Sequence, residues 1–324
     1  MSFNRIAVYG HRGWASSAIV AALIASGAPI KVLYRPGSDL SSLPDPVAAQ
    51  AIPVDLDSDH PVDQAAVIAA LSDVDIVISL VGHEGVTRQH GLVRAIPHTN
   101  VQLFVPSDLA ARYDTTGLRI SVNKAKDEVE RAAREKGIPL AIVLPGNFAE
   151  FALATPAMGV DRRDNRILFT GDSEHMPLNL CTRAYVAAAY ASLFATTPIA
   201  ALANRTLALS ELRPTGREIA DALTLSHGRA PRTAHQSADA VEAEIEEGLA
   251  AGSRFTLAAY CRRIWGSGEQ VKMVGYDFWD VRGYQRAIVR ELVGIGKLGE
   301  YRELPDEVWE GWGKVFEGYM GGEV

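Results

Sequence analysis

A chain of 324 residues, 48% hydrophobic, 22% charged and 7% aromatic, has room for about two compact units and the make-up of an ordinary globular enzyme. Its formal net charge of −7, without a dense run of lysine or arginine, excludes wholesale binding to a nucleic-acid backbone. Its cysteines, Cys181 and Cys261, lie far apart without metal-ligand spacing, which argues against a disulfide framework and for a reducing compartment, with both expected as buried small hydrophobes.

The opening "MSFNRIAVYG" runs straight into a strand, with no basic–apolar–small leader, and no apolar run is long enough to span a bilayer, so a cytoplasmic protein without membrane contact is expected. Down to about residue 150 the chain alternates short Val/Ile/Leu runs with amphipathic stretches. The runs "RIAVYG", "IKVLYR", "AIPVDL", "VDIVISLVG", "VQLFVP" and "LAIVLP" suit strands covered on both faces. The intervening segments suit helices. The first runs from Trp14 to Ser26 and stops at Gly27 before Pro29; another opens at Pro61, a favoured first-turn residue. This pattern predicts an α/β fold, a Rossmann-like doubly wound parallel sheet over residues 1–150. After "PGNF" the alternation fades, and residues 151–324 read as a smaller C-terminal substrate-covering region interleaved with the first.

The stretch "AVYGHRGWASS" places Gly10 and Gly13 where the first strand turns into its helix, the place where backbone N–H groups and the helix dipole favour a pyrophosphate. Ser16 stands where the dinucleotide fingerprint has its last glycine and is small enough to serve. The second strand ends in "LYRPGS", so Arg35 occupies the position where an acid would read the ribose hydroxyls of NAD, and an arginine there suits the 2′-phosphate of NADP, with Arg12 in reach of the same group.

No "GxSxG" elbow, "HExxH" helix or "GxxxxGK[ST]" loop occurs, and no tyrosine precedes a lysine by four residues. Hydrolase, zinc-peptidase and NTPase chemistries therefore have no motif, no metal site is expected, and the usual tyrosine–lysine pair of short-chain dehydrogenases is missing. In "SVNKAKDEVERAAREKG", helical spacing gathers Val122, Ala125, Val129, Ala132 and Ala133 on one face. Lys124 points away from that face, whereas Lys126 lies at its border and can lean over the sheet, where a lysine can move protons. His83, just after the fourth strand, is the next group able to do so.

Several of these segments carry a resemblance. "VDIVISLVG", "VQLFVPSDLA" and "KDEVERAAREKGIPLAIVLPGNFAEF", followed by "GDSEHMPLNLCTRAYVAA" and "NRTLALSELRPTGREIADAL", are similar in order and spacing to the isoflavone reductase and phenylcoumaran benzylic ether reductase family, within the NmrA-like atypical short-chain reductases. The likeness covers most of the chain. It implies a phosphate loop of Gly10, Arg12, Gly13 and Trp14, with Arg35 on the 2′-phosphate. Asp55 and Leu56 would flank the adenine, and Val81 and Gly82 the ribose. Pro106, Ser107 and Phe148 would surround the nicotinamide, and Lys126 would be the catalytic lysine beside it. The family loop "GxTGxxG" has Arg12 and Ser16 at its second and last marked positions here, and its "PSEFG" has become "PSDLA".

The resemblance implies an NADPH-dependent reductase of a small aromatic or polyketide-like substrate, a monomer or homodimer, with Lys126 supplying or orienting a proton. Two alternatives stay open: an NADP-sensing regulator of the NmrA type without catalysis, and a non-redox isomerase or cyclase using the same pocket. For the pocket itself, "YDFWDVRGYQR" and the aromatic tail supply the expected walls.

Overall fold

The structure is a computed structural model describing residues 2–321. The first part runs β1 (Ile6–Tyr9), α1 (Trp14–Ala25), β2 (Ile30–Tyr34), α2 (Asp45–Ala48), β3 (Ile52–Pro53), α3 (Pro61–Ala70), β4 (Ile76–Ser79), α4 (Gln89–Ala95), β5 (Leu103–Val105), α5 (Ser121–Glu135) and β6 (Ala141–Leu144). The strands pair in parallel in the order β3-β2-β1-β4-β5, and β6 lies beside β5, where Phe104 N donates to Pro139 O at 2.9 Å. This is the strand order expected of a doubly wound sheet, with its reversal between β1 and β4.

Two-residue periodicity, with both faces covered, explains why β1, β4, β5 and β6 are almost wholly apolar. Ile6, Val8, Ile76, Ile78, Leu103 and Val105 face one layer, whereas Ala7, Tyr9, Val77 and Phe104 face the other. The first layer is α1 and, from the second half, α7 (Arg183–Phe194), whose Tyr190, Leu193 and Phe194 are fully buried. The second layer holds α3, α4 and α5. Gly27, at φ +81°, ends α1 as its sequence position suggests.

Between these layers' elements the chain adds β7 (Asn147–Phe148), α6 (Ala149–Ala154), β8 (Val160–Asp161), β9 (Arg166–Thr170) and β10 (Leu180–Cys181), and beyond α7 it adds β11 (Arg205–Ala208), α8 (Gly216–His227), β12 (Arg232–Gln236), α9 (Ala238–Ala250), α10 (Thr256–Gly266), α11 (Gln270–Val274) and α12 (Asp306–Met320). Strand β11 joins β6 in parallel at the sheet's edge, while β8, β9 and β12 form a separate small sheet that packs on α8 and Trp265. The second half thus returns twice to the first sheet, through α7 and β11.

Helix α5 is held by charge as well as by Val129 and Ala133. Arg112 Nη1 reaches Glu130 Oε2 at 2.6 Å, and Arg112 Nη2 donates to Thr206 on β11 at 3.0 Å. Burial pushes the Glu130 carboxyl up, but the hydrogen bonds and charges of Arg112 and Arg134 outweigh it and hold the group below its ordinary range. A lowered carboxylate stabilises the fold above its unfolded-state value and loses that contribution as pH falls through the folded one. Glu130→Gln should therefore cost roughly 1–3 kcal/mol at neutral pH and flatten the fall in melting temperature below about pH 4.5, as thermal melts across pH will read.

Candidate active site

The carboxyl ends of β1, β2, β4, β5 and β6 open into one cleft of about 1010 Å³, near the upper end of the usual range for small-molecule sites. At its floor Gly10 has φ +95°, and a Cβ there would stand 2.9 Å from the backbone C and O of Leu80. Only glycine permits this approach of the first turn to the end of β4. Gly13 caps α1, whose first turn carries no acidic residue and no side-chain cap, so its N–H groups face the cleft unclaimed. Ser16 is buried and donates to Gly13 O at 3.1 Å, so the serine in the last glycine's place is accommodated without opening the turn. His11 turns its ring to Asp39 O at 3.0 Å, which ties the loop after β1 to the loop after β2.

Gly10→Ala should destabilise the protein by about 1–3 kcal/mol and weaken dinucleotide binding at least about tenfold, because the clash is with backbone and the dihedral is strained. A thermal melt and a cofactor titration measure the two effects.

Arg12 and Arg35 are exposed on the cleft wall, and among the described residues neither is ion-paired. Val81 and Gly82 follow β4, with open space above the Gly82 Cα. Ser107 follows β5; its hydroxyl donates to Val81 O at 2.7 Å and its N–H to the buried Gln89 at 2.8 Å, which locks the ends of β4 and β5 together. Phe148 is set by the "PGNF" turn. There Gly146, at φ +73°, is pressed against Asn179, whose amide nitrogen donates to Pro145 O and Leu209 O at 2.9 Å. Trp14 packs edge-on against Phe148 at 5.2 Å and Tyr301 at 5.0 Å, so the tail closes over the start of α1.

Lys126 reaches the cleft, as the helix phase predicts. Its side chain is 10% exposed against 67% for Lys124, which pairs along the helix with Glu128. Lys126 Nζ stands 3.5 Å from Asp108 Oδ1, and Tyr113 donates to that same oxygen at 2.7 Å. Burial, then the nearby Asp108 carboxylate, push the Tyr113 phenol well up, so it stays protonated. His83 sits at the cleft's mouth. Its side chain is exposed on the cleft, yet desolvation by the surrounding protein, followed by the charges of Lys126 and Arg302, lowers its imidazole to about 4, leaving it neutral at pH 7.

Asp55, Leu56 and Pro106 stand outside the cleft wall. Asp55 is exposed and accepts from Asp57 N at 3.0 Å, while Leu56 and Pro106 are buried. The expected thiols also differ: Cys181 is buried, but Cys261 is only partly so, because it lies on the cleft side of α10. Nor does "YDFWDVRGYQR" wall the cleft. Trp279 N donates to Ala208 O at 3.0 Å, so this segment lies along the β11 edge, where Tyr276 and Phe278 are exposed. Instead the cleft is lined, beyond the strand ends, by Phe151, Leu257, Tyr260, Ile264, Tyr301 and Arg302. Asp108 is the residue that reading the sequence passed over, although it stands in "PSDLA". No group of acidic, histidine or cysteine residues suited to a metal ion occurs among the described residues, nor is any described helix long and apolar enough to cross a membrane.

A parallel sheet with this order, and a glycine turn opening a helix at its reversal, makes the protein a Rossmann-type nucleotide-fold protein. A model of the NmrA-like family matches residues 2–249, and the chain belongs to that family. It is similar to isoflavone reductase homolog IRL of Zea mays, 32% identical over 160 residues, 46% of this chain and 50% of that protein. It is also similar to phenylcoumaran benzylic ether reductase Pyrc5 of Pyrus communis, 29% identical over 184 residues, 53% of this chain and 58% of that one. The chain thus matches about half the length of these relatives. In fold, it superposes on leucoanthocyanidin reductase of Vitis vinifera, solved with NADPH, with a TM-score of 0.72 at 19% identity over 90% of this chain and 98% of that one.

Proposed function

We propose that this protein is an NADPH-dependent reductase of a small aromatic substrate, working in the cytoplasm, with residues 1–150 holding the dinucleotide and residues 151–324 shaping the substrate side. The observation that carries the reading is a single cleft in which the unclaimed N-terminus of α1, two free arginines and a sheltered lysine face one another. The relatives' names point the same way, since they are reductases of aromatic compounds.

Gly10 and Gly13 let the backbone approach a pyrophosphate, and the first-turn N–H groups of α1 bind it. Arg35 and Arg12 pair with the 2′-phosphate. Val81 and Gly82 border the ribose, and Phe148 and Ser107 border the nicotinamide. Bound NADPH supplies a hydride. Lys126 donates its proton to, or orients it towards, the substrate oxygen that gains charge as the hydride arrives. The aromatic wall of Phe151, Tyr260 and Tyr301 excludes water and stacks on a ring. Burial keeps the Tyr301 phenol protonated, so it acts as a neutral donor, whereas the Tyr260 hydroxyl is committed to Asp114 Oδ1 at 3.1 Å and offers its ring.

NADPH titration followed by a screen of aromatic ketones, enones and benzylic ethers, read at the cofactor's absorbance, tests this reading. Micromolar binding with turnover of any of them supports it. Binding with no turnover across the screen would replace it with the NADP-sensing regulator, and no binding at all would end both.

A further inference from the structure

The reductase reading uses Lys126 but leaves unexplained why its ammonium, at the border of the buried face of a 15-residue helix, stands where it does. The groups facing it come from several elements. Asp108 and Tyr113 lie in the loop after β5, His83 follows β4, Cys261 comes from α10, and Asn123 lies one turn back on α5 itself. Asp108 is the only carboxylate among them. Its side chain is 6% exposed, and one of its oxygens takes both the Tyr113 hydroxyl at 2.7 Å and Lys126 at 3.5 Å. Its other oxygen is 4.0 Å from Arg112, whose close partner is Glu130 at 2.6 Å. Asp108 is thus left to Lys126 and Tyr113.

We propose that Asp108 is a positioning residue that holds the Lys126 ammonium at the cleft wall, and that Tyr113 fixes Asp108 in turn. The loop after β5 carries both residues only five positions apart, and Ser107, immediately before Asp108, is locked to the ends of β4 and to Gln89. The carboxylate is therefore anchored to the sheet, and through it the lysine is anchored to the strand ends that frame the cleft. A flexible four-carbon side chain needs such a tether to present one nitrogen in one place. His83 adds a neutral ring and Cys261 a protonated thiol, Glu130 one turn on is paired with Arg112 and Arg134, and among the described residues Asp108 is the one carboxylate within 4 Å of the ammonium.

The proposal rests on the reductase reading for its consequence in turnover, but its test does not need turnover. The whole protein is pulse-labelled with a limiting amount of acetic anhydride, and acetylation at each lysine is mapped by mass spectrometry. Asp108→Asn keeps the shape and removes the charge; labelling of Lys126 should rise about tenfold or more, with Lys124 unchanged, because the flexible side chain loses the carboxylate that holds its nitrogen at the sheltered wall. Tyr113→Phe should give a smaller rise, and Asp108→Glu should restore slow labelling. Unchanged labelling of Lys126 in Asp108→Asn overturns the proposal, and so does an equal rise at Lys124, which would signal a loosened helix. In the screen above, Asp108→Asn should lower kcat about tenfold or more with the NADPH dissociation constant unchanged. Failure of NADPH binding in the unaltered protein would remove the reductase reading while leaving the labelling outcome to stand or fall by itself.

Discussion

Replacing Lys126 with alanine is expected to lower turnover by roughly 10²–10⁴-fold, the span for losing a positioned acid–base group, with NADPH affinity little changed. Lys124→Ala is the matched control. The two residues share a helix and a charge and differ only in direction: Lys124 is 67% exposed and pairs with Glu128, whereas Lys126 is 10% exposed against Asp108. An equal loss from both would trace the effect to the helix rather than to one ammonium. If neither substitution slows a correctly folded protein, the proton comes from another group. His83 is then the residue to replace, since it opens on the same cleft and its neutral imidazole can donate from one ring nitrogen. That sequence of variants separates three assignments by measurements of kcat and of cofactor binding alone.

The parts of this site that depend on local periodicity were legible before any coordinates. Continuous Val/Ile/Leu runs report strands covered on both faces, and β1, β4, β5 and β6 are those strands. Helical phase alone separates Lys126 from Lys124. Gly10 and Gly13 mark a strand-to-helix turn, but glycines at such turns are often purely structural, and it is Arg35 at the end of the second strand, with Arg12, that points from the turn to a dinucleotide. What stayed hidden depends on contacts between segments distant in sequence. Asp108 meets Lys126 across a loop and two turns of helix, a relation with no period to betray it. The aromatic tail is expected as a wall and Tyr301 is one, but its contact with Trp14, made from the far end of the chain, has no local signal. The aromatics of "YDFWDVRGYQR" mislead for the same reason. Pairing with the free edge of β11 decides where they go, and that edge exists only once β11 has joined β6.

Arg35 is expected to decide which dinucleotide binds. In the unaltered protein NADPH should bind roughly 10–100-fold more tightly than NADH, the worth of one charge-assisted pair with the 2′-phosphate at about 1.5–3 kcal/mol. Arg35→Asp should erase or reverse that preference, since the new carboxylate repels the phosphate and accepts from the ribose hydroxyls instead. Arg12→Ala should reduce the preference by a smaller factor if the two arginines share the phosphate. Both side chains are exposed and without an ion pair among the described residues, so no internal partner is released or stranded when they are replaced, and the change in affinity reports the cofactor contact itself. Exposure also makes the contact sensitive to ions: raising salt from about 0.1 to 1 M shortens the screening length from about 10 to 3 Å. The NADPH preference should shrink accordingly while NADH binding stays nearly constant. Equal affinities for NADPH and NADH in the unaltered protein, or a preference indifferent to both salt and Arg35→Asp, would show that the end of β2 does not read the 2′-phosphate.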